Sequence, residues 1–245
     1  MRASVRLKGD SKMGFFQDMI AVFKKRQLVF IESYKESDDV YTFVFEKERD
    51  LTWKAGQHGL FSITHKKVKN PTKPFTIAAA PSENVLKLTM KINDNPSEFK
   101  KAMLELKQGM TIGMSGPLGS LNVNDERPTV LIAGGIGITP FRSIIKQIEA
   151  EGNGNKKPIH LLYMDSEKKY MFKDELDANN DSISISYLDS RDDLHQEIDK
   201  LSTLYQNNGQ YLIAGPKLMV DSISSYLQNS SISKKNIKKD AFHGY

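Results

Sequence analysis

The chain contains no cysteine. Disulfides, cysteine-ligated zinc, iron–sulfur clusters and thiol catalysis are excluded on that ground alone. The five histidines, His58, His65, His160, His195 and His243, show no ligand spacing such as H-x-x-x-H, so no metal site is expected. Long apolar runs are missing as well: none approaches the ~18 residues that span a bilayer. Met1 to Asp10 carries charge and leads into no apolar core with a small-residue cleavage site, so no signal peptide is read and the expected location is cytoplasmic. Charge of one sign is not in large excess either. Lys plus Arg number 35 against 30 Asp plus Glu, which leaves +5. That surplus does not imply nucleic acid; it suits an acidic protein partner or a phosphate-rich cofactor. Any redox chemistry must come from a bound organic cofactor.

What is present is enough for two domains. The chain has 245 residues, and its 39% apolar and 27% charged content fits a globular protein with real cores. Residues 1–26 form a prelude. Phe15 to Phe23 is apolar and Lys24-Lys25-Arg26 is basic, which fits a helix packed on the core or an amphipathic helix on a membrane surface. From 27 to 125 the signal is β. Leu28 to Ile31, Val40 to Phe45, Leu60 to Ile63, Phe75 to Ala78, Leu86 to Ile92 and Met110 to Met114 are apolar or β-branched, with Gly, Pro and Asn between them. Many short strands with regular turns predict an antiparallel barrel. One helix interrupts, Ser97 to Leu106, with Ser97 as its N-cap.

From 126 to 245 strand and helix alternate. Thr129 to Ala133, Ile159 to Met164, Ile183 to Leu188 and Tyr211 to Ala214 read as strands, and Asn236-Ile-Lys as strand-like. Phe141, Ile144, Ile145 and Ile148 fall on one helical face, and Leu194 to Tyr205 and Lys217 to Gln228 read as further helices. This βαβ order predicts a parallel sheet covered by helices.

The strongest local feature is Ala133-Gly134-Gly135-Ile136-Gly137-Ile138-Thr139-Pro140, between a strand and a helix. Glycines let backbone amides approach a pyrophosphate at a helix N-terminus. Thr139 is expected to cap that helix and Pro140 to sit in its first turn. A tight strand-to-helix turn explains the glycines equally well.

Further motifs follow a recognisable order: Lys73-Pro74-Phe75-Thr76, Gly116-Pro117-Leu118-Gly119, Gly135 to Ser143, Ala214-Gly215-Pro216, and Phe242-His-Gly-Tyr245. In this order the chain resembles the ferredoxin–NADP reductase-like flavoproteins from about Gln27 onward. The resemblance implies a FAD-binding barrel, a nucleotide-binding α/β domain taking NADPH or NADH, and the flavin between them. It places Lys73 at the flavin pyrophosphate, Phe75 on the flavin ring and the Thr76 hydroxyl near flavin N5. The family's Arg is Lys73 here, a point charge and not a bidentate fork. The helix opened by Ser97 is implied to face the FAD phosphates, and Thr89 to Lys91 to lie in the flavin-lining strand. Ala214 stands where the family has Cys, beside the nicotinamide. Tyr245 or Phe242 is implied to cover the flavin face. Ser190-Arg191 stands where NADP-using members hold the 2′-phosphate, though Asp189 and Asp192 flank it and Lys168 and Lys169 are its available counter-charges.

The implied function is an FAD-dependent NAD(P)H oxidoreductase. Hydride passes to flavin N5 beside Thr76, and electrons pass on to a separate acceptor such as a ferredoxin, flavodoxin, quinone or haem centre. The rival readings are a regulatory flavin- or nucleotide-binding module without catalysis, a peripheral reductase subunit of a membrane complex docked through residues 1–26, and a nucleotide-binding enzyme without flavin.

Overall fold

The computed structural model describes residues 25–119, 121, 123, 126–152, 157–178 and 183–242. Most of the expected prelude and the tail from His243 to Tyr245 lie outside them. Lys25 and Arg26, counted above with the prelude, instead begin strand β1 (Lys25–Ser37). The reason is a carboxylate pair: the Arg26 guanidinium lies 2.5 Å from Glu48 and 2.8 Å from Asp50, so the basic cluster is drawn into the sheet.

β1 joins β2 (Val40–Glu46), β3 (His58–Ile63), β4 (Thr72–Thr76), β5 (Val85–Lys91) and β6 (Thr111–Leu118) in one antiparallel sheet, ordered β4-β3-β6-β1-β2-β5. β1 is long because it serves two neighbours. Lys25 to Val29 pairs with β6, and from Phe30 onward the strand pairs with β2. A register break between Phe30 and Glu32 marks the change, the bend a bulge allows. Alternation along β3 sends Phe61 and Ile63 inward to meet Leu28, Phe43 and Phe45. Phe30 meets Phe45 edge-on at 5.6 Å. Helix α1 (Glu98–Leu104) follows β5, capped by Ser97 as expected, and buries Phe99, Ala102 and Met103.

The strand expected over Phe75 to Ala78 is displaced toward the N-terminus. Pro74 has no N–H to donate, so β4 is an edge strand paired only with β3. Ile77 to Ala80 then leave the sheet as a fully buried segment.

The second layer system is a parallel sheet of β7 (Thr129–Gly134), β8 (Ile159–Met164), β9 (Ile183–Leu188), β10 (Gln210–Pro216) and β11 (Ile237–Phe242), ordered β11-β10-β7-β8-β9. Every residue of central β7 is buried, as helices on both faces require. α2 (Ile138–Glu151) covers one face through Phe141, Ile144, Ile145 and Ile148. α4 (Arg191–Tyr205) and α5 (Lys217–Asn229) cover the other. A short α3 (Lys173–Asp177) was not expected; five residues leave too little periodicity to read.

Side chains of α2 join the two domains, Arg142 foremost. Arg142 of α2 is 3% exposed. Its guanidinium donates to Glu83 at 2.8 and 3.0 Å, to Glu175 at 2.6 and 3.0 Å, and to the Ala78 carbonyl at 2.8 Å. Its neighbour Ser143 donates to the Ala79 carbonyl at 2.7 Å. Two carbonyls of the buried segment after β4, those of Ala78 and Ala79, thus find donors on α2. Burial alone would raise Glu83, but Arg142, assisted by Lys87 and the Ala80 amide, outweighs it and holds the carboxyl at about 2.

Arg142→Ala leaves Glu83 and Glu175 without their main partner, and a loss of about 3–5 kcal/mol is expected in chemical denaturation. Arg142→Lys should recover only part, since an ammonium cannot span two carboxylates as a fork does. Because the Glu83 pKa is depressed, its contribution is present above its ordinary 4.5 and is lost as pH falls toward about 2. The wild type should therefore lose stability faster than Arg142→Ala over that interval; parallel pH profiles would contradict the assignment.

Candidate functional site

Two clefts open where the domains meet. The first, about 600 Å³, lies against the barrel. β4 contributes Lys73, Pro74, Phe75 and Thr76, and β5 contributes Thr89 and Lys91. Ser97 lines it ahead of α1, and Thr139, Asp240 and Phe242 close it from the α/β domain. The second, about 580 Å³, lies over the carboxyl ends of β7 and β8 and is lined by Gly134, Gly135, Met164 and Pro216. Lys91, Asn93, Lys100 and Ile136 line both.

The first cleft is built for a flat ring with a charged extension. Phe75 is half-buried and stacks on Phe99 with centroids 5.4 Å apart. Thr76 is 7% exposed, and its hydroxyl is buried with no hydrogen-bond partner. A buried unsatisfied hydroxyl costs energy unless a ligand completes it. With Lys73 and Lys100 on the same cleft, an aromatic wall, an open hydroxyl and cations form a donor set that fits a flavin dinucleotide.

The glycine turn joins strand to helix as expected, but Thr139 is placed differently. β7 runs into a single 3₁₀ turn, Gly135–Gly137, and α2 begins directly at Ile138. Gly135 adopts φ +51°, a left-handed conformation, with open space where a side chain would stand. Gly137 is required for a different reason: a Cβ there would lie 2.2 Å from the Ala214 carbonyl oxygen. Thr139 does not cap the helix. It sits inside the first turn and its hydroxyl donates to the Ile136 carbonyl at 3.1 Å, because the 3₁₀ turn starts the helix earlier than a cap at Thr139 allows. Pro140 lies in the first turn as expected. Ala214 and Gly215 stand on β10 against this turn, and Pro216 reaches the second cleft.

Ser190 and Arg191 line neither cleft. Ser190 is committed to α4: it accepts from the Asp193 amide at 3.1 Å and donates to the Asp193 carboxylate at 2.6 Å. Arg191 is exposed on the first turn. Lys168 is held by Asp189 at 2.5 Å and Lys169 by Glu167 at 2.9 Å. Tyr245 lies outside the described residues.

Sequence reasoning missed His58, Asn93, Asn95 and Lys100 as lining residues. His58 enters only through sheet register, since it is paired with Thr76 across β3 and β4. Asp240 enters through β11, which places it beside Ala214. Burial raises the Asp240 carboxyl above its usual range, partly offset by the His58 charge.

A raised carboxylate pKa means that folding favours the protonated form. That stabilisation is full below the ordinary 3.8 and is lost as pH rises through the folded value. Asp240→Asn should therefore raise the melting midpoint at neutral pH, by about 2–4 °C for each kcal/mol recovered. The gain should vanish in acid; a constant difference would count against a raised pKa. Gly137→Ala should cost more than Gly135→Ala. The first drives a Cβ into backbone and is expected to lose about 1–3 kcal/mol or more. The second adds only left-handed strain of about 1–2 kcal/mol. Thermal denaturation of both variants decides the order.

Known proteins carry the same pair of domains. Residues 22–139 match the FAD-binding domain family, and residues 131–225 match the oxidoreductase NAD-binding domain family. The toluate 1,2-dioxygenase electron transfer component of Pseudomonas putida is 26% identical over 148 residues, 56% of this chain and 44% of that protein. A flavohemoprotein of Oceanobacillus iheyensis is 22% identical over 240 residues, 89% of this chain and 59% of that protein. The chain thus spans about half the length of the curated relatives it matches. Among solved structures, ferredoxin-NADP+ reductase from Plasmodium falciparum with 2′P-AMP superposes with TM-score 0.76 at 18% identity, covering 90% of this chain and 97% of that one. A flavohemoglobin from Malassezia yamatoensis superposes with TM-score 0.69 at 19% identity, covering 89% and 60%. Barrel, parallel sheet and both domain matches agree: the chain pairs an FAD-binding domain with an oxidoreductase NAD-binding domain, in the two-domain fold of the ferredoxin-NADP+ reductases.

Proposed function

We propose that this chain is an FAD-dependent NAD(P)H reductase that moves electrons from a nicotinamide nucleotide to a separate acceptor. The observation that carries this is the junction of the two clefts, with the unpartnered Thr76 hydroxyl in one and the glycine turn in the other. Bound FAD would supply the hydride-accepting and electron-releasing chemistry, which belongs to the cofactor. The protein's share is binding, orientation and exclusion of water.

In this reading Phe75 and Pro74 support the ring and Lys73 attracts the phosphates. Ser97, Thr89 and Lys91 bound the same cleft along its length. The Thr76 Oγ1 offers a hydrogen bond to the ring edge. Gly135, Gly137, Thr139 and Pro140 shape the turn that receives the nucleotide, and Ala214, Gly215 and Pro216 flank its nicotinamide end. Phe242 or Tyr245 covers the flavin. The Asp240 carboxyl, raised by burial, lines the same cleft.

The nucleotide proposed is NADPH, with Arg191 as the exposed cation for a 2′-phosphate. Asp189, held by Lys168, weakens that preference less than a free carboxylate would. For the acceptor, Lys67, Lys69 and Lys101 are exposed on the barrel domain, and this favours an acidic redox protein. Membrane contact would rest on residues 1–26, of which 1–24 lie outside the described residues.

Anaerobic absorbance spectra before and after NADPH, then NADH, test the reading. A yellow protein that bleaches is expected, faster with NADPH. Thr76→Val should keep FAD yet slow bleaching about tenfold or more, the worth of one hydrogen bond in a dry site. A yellow protein that neither nucleotide bleaches would point to a binding module. A colourless protein that cannot be loaded with FAD would overturn the proposal.

A further inference from the structure

Lys100 stands in the first turn of α1, and its side chain reaches both clefts. Lys91 of β5 does the same, and Lys73 of β4 lines the first. Burial, with the charges of Lys73 and Lys91, pushes the Lys100 ammonium below its ordinary range. Three cations from three elements therefore converge where the clefts meet.

Four carboxylates share the clefts: Asp39, Asp165 and Glu167 line the second and Asp240 the first. Asp39 holds Lys91 at 2.9 Å. Across the second cleft Glu167 acts on Lys91 but is itself paired with Lys169 at 2.9 Å. Among the described residues, neither Lys73 nor Lys100 has an ion pair. Half-buried like charges oppose folding unless an anion enters between them. Each dinucleotide proposed for these clefts carries a pyrophosphate, an anion that a lysine lining both clefts can meet from either side. An ammonium with three rotatable donors can serve both.

We propose that Lys100 is a phosphate clamp shared by the two clefts, engaging the pyrophosphate of the nicotinamide nucleotide as well as that of the flavin. This rests on the reductase function proposed above. The clamp explains why α1 directs a lysine into the junction, and it makes both binding events depend on one side chain.

Calorimetric titration of the full chain, stripped of flavin, decides it. FAD and inorganic pyrophosphate are titrated into the stripped protein, and NADP+ into the FAD-loaded protein. Lys100→Gln is expected to weaken all three about tenfold, the worth of one charge-assisted contact, while Lys100→Arg retains most of each affinity. Circular dichroism confirms that the variants are folded. A loss confined to FAD or to NADP+ overturns the sharing, and no loss overturns the clamp. Should the wild type bind no FAD, the reductase reading fails, and the pyrophosphate titration still judges Lys100.

Discussion

The geometry of the site depends on a buried cation. Arg142 belongs to the α/β domain by sequence, yet it reaches the barrel at Glu83 and the Ala78 carbonyl, and a second acidic residue, Glu175, on its own side. A guanidinium buried to this degree is stable only because every direction of its fork finds an acceptor. Its ring contact with Phe172, 5.3 Å from guanidinium to centroid, covers the remaining face. The segment it secures, Ile77 to Ala80, follows directly from Thr76. Fixing that segment against α2 fixes the distance between the flavin-side strand β4 and the glycine turn before α2.

Neither domain holds the site alone. The first cleft is completed by Thr139, Asp240 and Phe242 from the α/β domain, and the second by Asp39, Lys91 and Lys100 from the barrel. Close approach is achieved by removing side chains where backbones meet, as Gly137 does against Ala214. Charged side chains are gathered by the reverse device: β4, β5 and α1 bring Lys73, Lys91 and Lys100 to the clefts, where Asp39, Asp165, Glu167 and Asp240 also stand. A redox protein that must bring two anionic cofactors together needs both: short backbone distances for transfer, and cations to offset phosphate repulsion.

Much of this was legible along the chain. Apolar runs and helical spacing placed most strands and helices, because a parallel sheet buried on both faces has to be written as unbroken apolar stretches such as Thr129 to Ala133. The motifs Lys73 to Thr76, Gly135 to Pro140 and Ala214 to Pro216 were each found at a cleft or at the turn that shapes one. Where local reasoning failed, a longer-range interaction had taken over. Arg26 left the expected prelude for Glu48 and Asp50. β4 shifted because Pro74 tolerates only an edge. Thr139 lost its capping role to a 3₁₀ turn that started the helix early.

By itself, then, the sequence determined the two-domain order, the absence of thiol chemistry and the positions of the glycines in the turn before α2, since each is expressed in neighbouring residues or in composition. Tertiary structure alone decided that His58 faces Thr76, that Asp240 stands by the flavin cleft, that Ser190 serves a helix, and that Lys100 reaches both clefts. These depend on strand register and on how one domain is held against the other. Such contacts join residues tens of positions apart, and no local pattern of side chains encodes them.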